Sequence, residues 1–86
     1  MDHISKAFKQ LRLKKKMTQN QVAVRLGFTT PQHVSNLERG ITDIRFETII
    51  RYAKEMGASK VEAKDIETAY IEDTKQQTTA AIAAFY

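Results

Sequence analysis

Gly27 separates two short stretches that each carry a helix-start signal, and this constrains the fold more than any other feature of the chain. Upstream, Thr18 and Gln21 have the spacing of a capping box, in which each side chain bonds the other residue's backbone N–H. Met17 and Val22 hold the two positions of a hydrophobic staple around it. Val22, Ala23 and Leu26 form an inner face, and Gly27 stops the helix because glycine enters the left-handed conformation without steric cost. Downstream, the next helix is expected to begin at Thr30, with Pro31 at the first helical position, where a missing N–H costs nothing. It should close at Arg39, with Gly40 as its cap. The pattern therefore predicts two short helices joined by a tight turn.

The remaining segments also read as helices. Ile4, Phe8 and Leu11 recur at helical spacing, with Ala7 on the same face, and predict a first helix over residues 3–15. Lys14, Lys15 and Lys16 crowd its C-terminal end, a placement that already suits the helix dipole without any ligand. Phe46, Ile49, Ile50 and Ala53 follow the i, i+3, i+4, i+7 pattern of a fourth helix closed by Gly57. Ser59 and Glu62 make a second capping box, opening a fifth helix whose expected buried face is Val61, Ile66, Ala69 and Tyr70. Past Asp73 the signal fades into Thr78, Thr79 and an Ala-rich end carrying Ile82, Phe85 and Tyr86. There is no strand alternation and no repeat. The expected class is all-α.

Composition narrows the function. A chain of 86 residues makes one domain, which buries only about 60–65% of the surface its unfolded form exposes. The absence of cysteine removes disulfides, thiolate metal sites and thiol catalysis together. His3 and His33, thirty residues apart, offer no zinc spacing, and no Gly-x-Ser-x-Gly elbow surrounds Ser35. No apolar run approaches a membrane span of about 18 residues and no signal-peptide pattern opens the chain. These features predict a soluble cytoplasmic protein that is not an enzyme and needs neither a metal nor a cofactor.

Charge is distributed unevenly around a net +4. Lys6, Lys9, Arg12, Lys14, Lys15, Lys16, Arg25 and Arg39 face only Asp2 and Glu38 in the first forty residues. After Lys54 the balance reverses, with Glu55, Glu62, Asp65, Glu67, Glu72 and Asp73 outnumbering Lys60, Lys64 and Lys75. Either a polyanion meets the front half, or both halves are merely solvated.

The third helix, too, carries a polar face that is there for a ligand or merely wet. Val34 and Leu37 form a thin apolar stripe, while Gln32, Ser35, Asn36 and Arg39 cluster opposite and His33 flanks them. Glutamine and asparagine amides can bond adenine N6 and N7 bidentately, and arginine suits guanine O6 and N7. Gln32 and Asn36 are therefore the first candidates for base contacts with double-stranded DNA, followed by His33 and Thr30. An exposed helix residue with no ligand is the alternative for His33. Phosphate contacts need charges or free backbone N–H groups. Thr18 and Gln19 at the start of the second helix supply the latter, and Lys16, Arg39 and Arg45 the former.

The run from Leu11-Arg12 through Met17-Thr18-Gln19, Val22-Ala23, Leu26-Gly27, Val34-Ser35, Leu37-Glu38-Arg39-Gly40 and Phe46-Glu47-Thr48-Ile49 resembles the Xre family. These are the Cro/C1-type helix–turn–helix domains of phage repressors and bacterial regulators. The resemblance covers residues 4–58. It implies a compact lambda-repressor-like domain of four or five helices, operator DNA as ligand, and a homodimer on a palindrome. It implies that Gln19 contacts phosphate, that Gln32, His33 and Asn36 read bases, and that Arg12 and Glu38 form a structural salt bridge. Two departures stand out. The segment between Gly27 and Val34 is one residue longer than the usual family turn, and Ile44 stands where the family often has proline.

Residues 1–58 are thus expected to form the helix–turn–helix unit, and residues 59–86 a C-terminal helix and tail. Two roles fit that C-terminal part. Ile66, Tyr70, Ile82 and Phe85 could form a symmetric dimer seam, or the fifth helix folds back on its own domain ahead of a tail. The functional expectation is a transcriptional regulator, most simply a repressor. The alternatives are an antitoxin that binds a toxin through residues 59–86, and a protein adaptor that keeps the fold without DNA.

Overall fold

Helix ends, more than helix interiors, set the course of this chain. The computed structural model describes residues 2–41 and 44–75. Five helices follow one another: α1 (Asp2–Lys14), α2 (Gln19–Leu26), α3 (Gln32–Glu38), α4 (Phe46–Glu55) and α5 (Lys60–Thr74). The first four close with the same backbone reversal. At the end of α2, Gly27 takes φ 82°, its N–H bonds the Val24 carbonyl at 3.1 Å, and the Phe28 N–H bonds the Ala23 carbonyl at 2.8 Å. This pair of bonds is the Schellman motif. Gly40 and Gly57 repeat it after α3 and α4.

At the end of α1 the same reversal falls on a lysine. Lys16 sits at φ 58°, donating to Leu13, while the Met17 N–H bonds Arg12 at 3.1 Å. A side chain with a Cβ holds this conformation against a steric penalty that glycine escapes. Lys16→Gly removes a steric cost of about 1–2 kcal/mol and adds about 0.5–1 kcal/mol of backbone entropy, so a net gain of up to about 1 kcal/mol is expected in urea unfolding. A destabilised variant would mean that the lysine side chain contributes more than its backbone costs. Lys75 repeats the arrangement in simpler form, with φ 59° and a single bond to Ile71 at 2.7 Å.

Two helix starts, those of α2 and α5, are equally local. Thr18 and Gln21 form both bonds of their capping box, at 3.1 and 2.8 Å, and Ser59 and Glu62 do the same at 3.2 and 2.9 Å. The start of α3 differs from expectation. Pro31 already has helical angles, φ −74° and ψ −7°, but the helix opens at Gln32. The first ladder bond runs from the Ser35 N–H to the Pro31 carbonyl at 3.0 Å, and Thr30 lies in the exposed bend before it. Proline's locked φ brings the backbone into register one step before the hydrogen bonds begin.

One core joins all five helices. Ile4, Phe8 and Leu11 of α1 meet Val22 and Ala23 of α2, Val34 and Leu37 of α3, and Phe46, Ile49, Ile50 and Ala53 of α4. From α5 come Ala63, Ile66 and Tyr70. α1 packs on α5 and α3, and α4 packs on α5 and α2. Two expectations for α5 are corrected here. Val61 is 71% exposed, because the buried face of α5 runs through Ala63, Ile66 and Tyr70 at i, i+3 and i+7, and Val61 lies nearly opposite it. Ile66 and Tyr70 are only 2% and 9% exposed, with the Tyr70 ring 5.1 Å from that of Phe46. They fill this chain's own core and present no surface to a second copy. Ile82 and Phe85, the other residues expected at a dimer seam, lie outside the described residues, as does Tyr86.

Two carboxylates clamp α1 against α5, one at each end. Glu62 accepts from the Ser59 N–H and from Lys15 at 2.9 Å, and its other oxygen lies 2.9 Å from the Lys14 ammonium. Hydrogen bonds from Lys15, the Ser59 backbone and Lys14 hold its carboxyl at about 2, against the opposing effect of burial. At the other end, Asp73 accepts from the His3 and Ile4 N–H groups at 2.9 and 2.8 Å and meets the His3 ring at 2.8 Å. α5 therefore supplies acceptors for two N-terminal N–H groups of α1. Burial pushes the Asp73 carboxyl up, but the bonds from Ile4 and His3 outweigh it and leave it below the usual range. Among the described residues, no helix is long and apolar enough to cross a membrane.

Candidate nucleic-acid interface

The angle between the first and third helices is held by one buried ion pair. Arg12 reaches from α1 to Glu38 at the end of α3 through two parallel bonds, Nε to Oε2 at 2.6 Å and Nη2 to Oε1 at 3.1 Å. Its third arm, Nη1, bonds the Met17 carbonyl at 2.9 Å, at the turn leading into α2. The planar guanidinium suits this task because its donors form a rigid fork that a lysine cannot supply. Both side chains are largely withdrawn from water, at 10% and 3% exposure. Gln19 joins the same network, its Nε2 donating to Glu38 Oε1 at 3.2 Å. The first residue of α2 is thereby tied to the last residue of α3, leaving its amide oxygen and second N–H for other use.

With α3 held this way, its two faces separate cleanly. Val34 and Leu37 are buried at 0% and 4% exposure. Gln32 and His33 are exposed and Asn36 is half-buried. Gln32 Nε2 donates to Asn36 Oδ1 at 2.9 Å, which lines up two amides one helical turn apart on the outer edge. His33 lies flat against Phe28, with ring centres 4.3 Å apart and planes 6° from parallel. Phe28 in turn meets Tyr52 of α4 edge-on at 5.5 Å and 88°. Thr30 is exposed in the turn before α3, beside rather than on the helix.

The cations divide into two kinds. Lys14 and Lys15 are engaged with Glu62, so the lysine run at the end of α1 is mostly a clamp. Lys16, turned by its left-handed backbone, is exposed, as are Arg39 at the end of α3 and Arg45 at the start of α4. Thr18 is exposed too, although its hydroxyl oxygen already accepts the Gln21 N–H. Arg25 donates to the Glu55 carbonyl at 3.2 Å, binding α2 to the end of α4. Among the described residues, no group of three His, Cys, Asp or Glu side chains is arranged to hold a metal ion.

Sequence reasoning missed Phe28, which shapes this face, and Asp73, which caps α1. Phe28 follows the left-handed Gly27, a position where an apolar side chain often packs back on the helix, and that was its available signal. Asp73 had none, because its partners lie at the other end of the chain.

A family model described as Helix-turn-helix matches residues 8–62. No curated protein and no solved structure matches the chain.

Proposed function

Because this chain belongs to the helix–turn–helix family of Cro/C1 type, a family of DNA-binding regulators, we propose that it is a sequence-specific repressor whose α3 enters the major groove of its operator. The observation that carries this reading is the division of α3. Its apolar side is sealed against the core, while Gln32 and His33 are exposed and the half-buried Asn36 lies beside Gln32 on the outer edge. Amides there match the donor and acceptor pair of adenine. Gln19, Thr18, Lys16, Arg39 and Arg45 take phosphates and set the register, and Thr30 borders the groove at the turn. Two copies on a palindrome place their α3 helices about 34–36 Å apart, one turn of the duplex. Ile66 and Tyr70 take no part in that pairing, since each chain uses them internally.

Selection of bound sequences from a random DNA pool tests the reading and yields half-site, spacing and symmetry together. Asn36→Ala is expected to relax preference at one base pair, costing about 1–3 kcal/mol of discrimination. Lys16→Ala should weaken all sequences alike and reduce the salt slope of binding by about one. Equal losses on selected and random DNA for both variants would remove Asn36 from base reading.

A further inference from the structure

Three rings connect α4 to the outer edge of α3. Tyr52 braces Phe28 edge-on, and Phe28 carries the His33 imidazole flat upon it. The base of this stack is rigid, since Gly27 holds the left-handed turn and the Phe28 N–H is bonded to Ala23 at 2.8 Å. An exposed histidine otherwise samples several rotamers, and ordering such a side chain on binding is costly. Here one face of the imidazole is already taken by Phe28. The nitrogen-bearing edge lies perpendicular to the stacking axis on an exposed residue.

We propose that Phe28 is a specificity-positioning residue, which holds the His33 ring edge-on so that its N–H can meet a purine N7 in the major groove. This rests on the reading of α3 as the DNA-contacting helix. Phe28 itself touches no base. It acts through His33 by removing the ring's rotational freedom before DNA arrives.

The test compares base-preference profiles of the wild type, His33→Ala, Phe28→Met and the double variant. Methionine fills similar volume without a flat face. His33→Ala is expected to lower discrimination at one base pair about tenfold, and Phe28→Met to lower it at that same pair about three- to tenfold. The double variant should be no worse than His33→Ala, while Phe28→Tyr, which retains a face, keeps the wild-type profile. In the free protein, the His33 ring-proton resonances should sit upfield from the ring current of Phe28 and move downfield in Phe28→Met.

A Phe28→Met profile that superposes on the wild type would overturn the proposal, as would losses that add in the double variant. Unshifted His33 resonances in the wild type would overturn it without any variant having to fold. A wild type that binds all sequences alike removes the reading of α3 and this proposal together. A selective wild type with an inert Phe28 removes only the latter.

Discussion

Arg12→Ala is expected to destabilise the protein by about 3–5 kcal/mol, because it leaves the Glu38 carboxylate buried without its partner. A chain of this length has a total stability of roughly 4–13 kcal/mol, so the variant should lose a large share of it and unfold at a clearly lower urea concentration. The loss has three parts in the structure. The bidentate contact to Glu38 disappears, the Met17 carbonyl loses its donor, and Gln19 remains tied to a carboxylate that now seeks water. Replacing both partners, Arg12→Met with Glu38→Met, should cost much less than the single change, since no charge is then stranded. Urea unfolding of the singles and the double measures this directly. An Arg12→Ala midpoint within experimental error of the wild type would mean that water reaches Glu38 and that the pair does not hold α3.

Acid is expected to release α1 from α5. Glu62 and Asp73 both have folded-state carboxyl values lowered from the ordinary ones, 4.5 in the case of Glu62. A group lowered on folding stabilises the native state above its ordinary value, and that contribution is lost as pH falls toward its folded value. For Glu62 the window runs from near 4.5 down to about 2. Asp73 begins to lose its contribution below 3.8. Each carboxylate also caps a helix start, a role worth on the order of 0.5–2 kcal/mol. Stability should therefore hold near neutrality and fall steeply below pH 4.5, with both ends of the α1–α5 clamp loosening in the same range. The Glu62→Gln/Asp73→Asn double variant should start less stable and show a flatter acid slope. A slope unchanged by the double substitution would place the acid sensitivity elsewhere.

Both predictions concern contacts that differ greatly in how far they reach along the chain, and this explains what was legible beforehand. Thr18 with Gln21 and Ser59 with Glu62 are three residues apart, so a reader of the sequence sees both members of each box at once. The inward faces of α1, α3 and α4 follow from helical periodicity alone. Val61 obeys the same periodicity, since it lies five residues before Ile66 and nearly opposite the face that Ala63, Ile66 and Tyr70 share; its apolar character alone suggested burial. Tyr70 and Ile66 show the limit of that logic. Periodicity shows that a residue belongs to an apolar face and does not show whether that face meets its own chain or another.

At the interface, exposure of Gln32 and His33 follows from the stripe of Val34 and Leu37 opposite them. Their arrangement does not. The amide pair of Gln32 and Asn36, the flat stack of His33 on Phe28 and the tie from Gln19 to Glu38 depend on where turns and neighbouring helices come to rest.

The amino-acid order alone determined where α2 and α5 begin, where α2, α3 and α4 stop and which side of most helices turns inward, because capping boxes and left-handed glycine stops act within about five residues. Only the assembled molecule decided that Asp73 caps a helix seventy residues away, that Glu38 is shared by Arg12 and Gln19, and how the outer edge of α3 is set. Those outcomes depend on the relative placement of whole helices, which is fixed when their faces pack into one core and not by any short stretch of sequence.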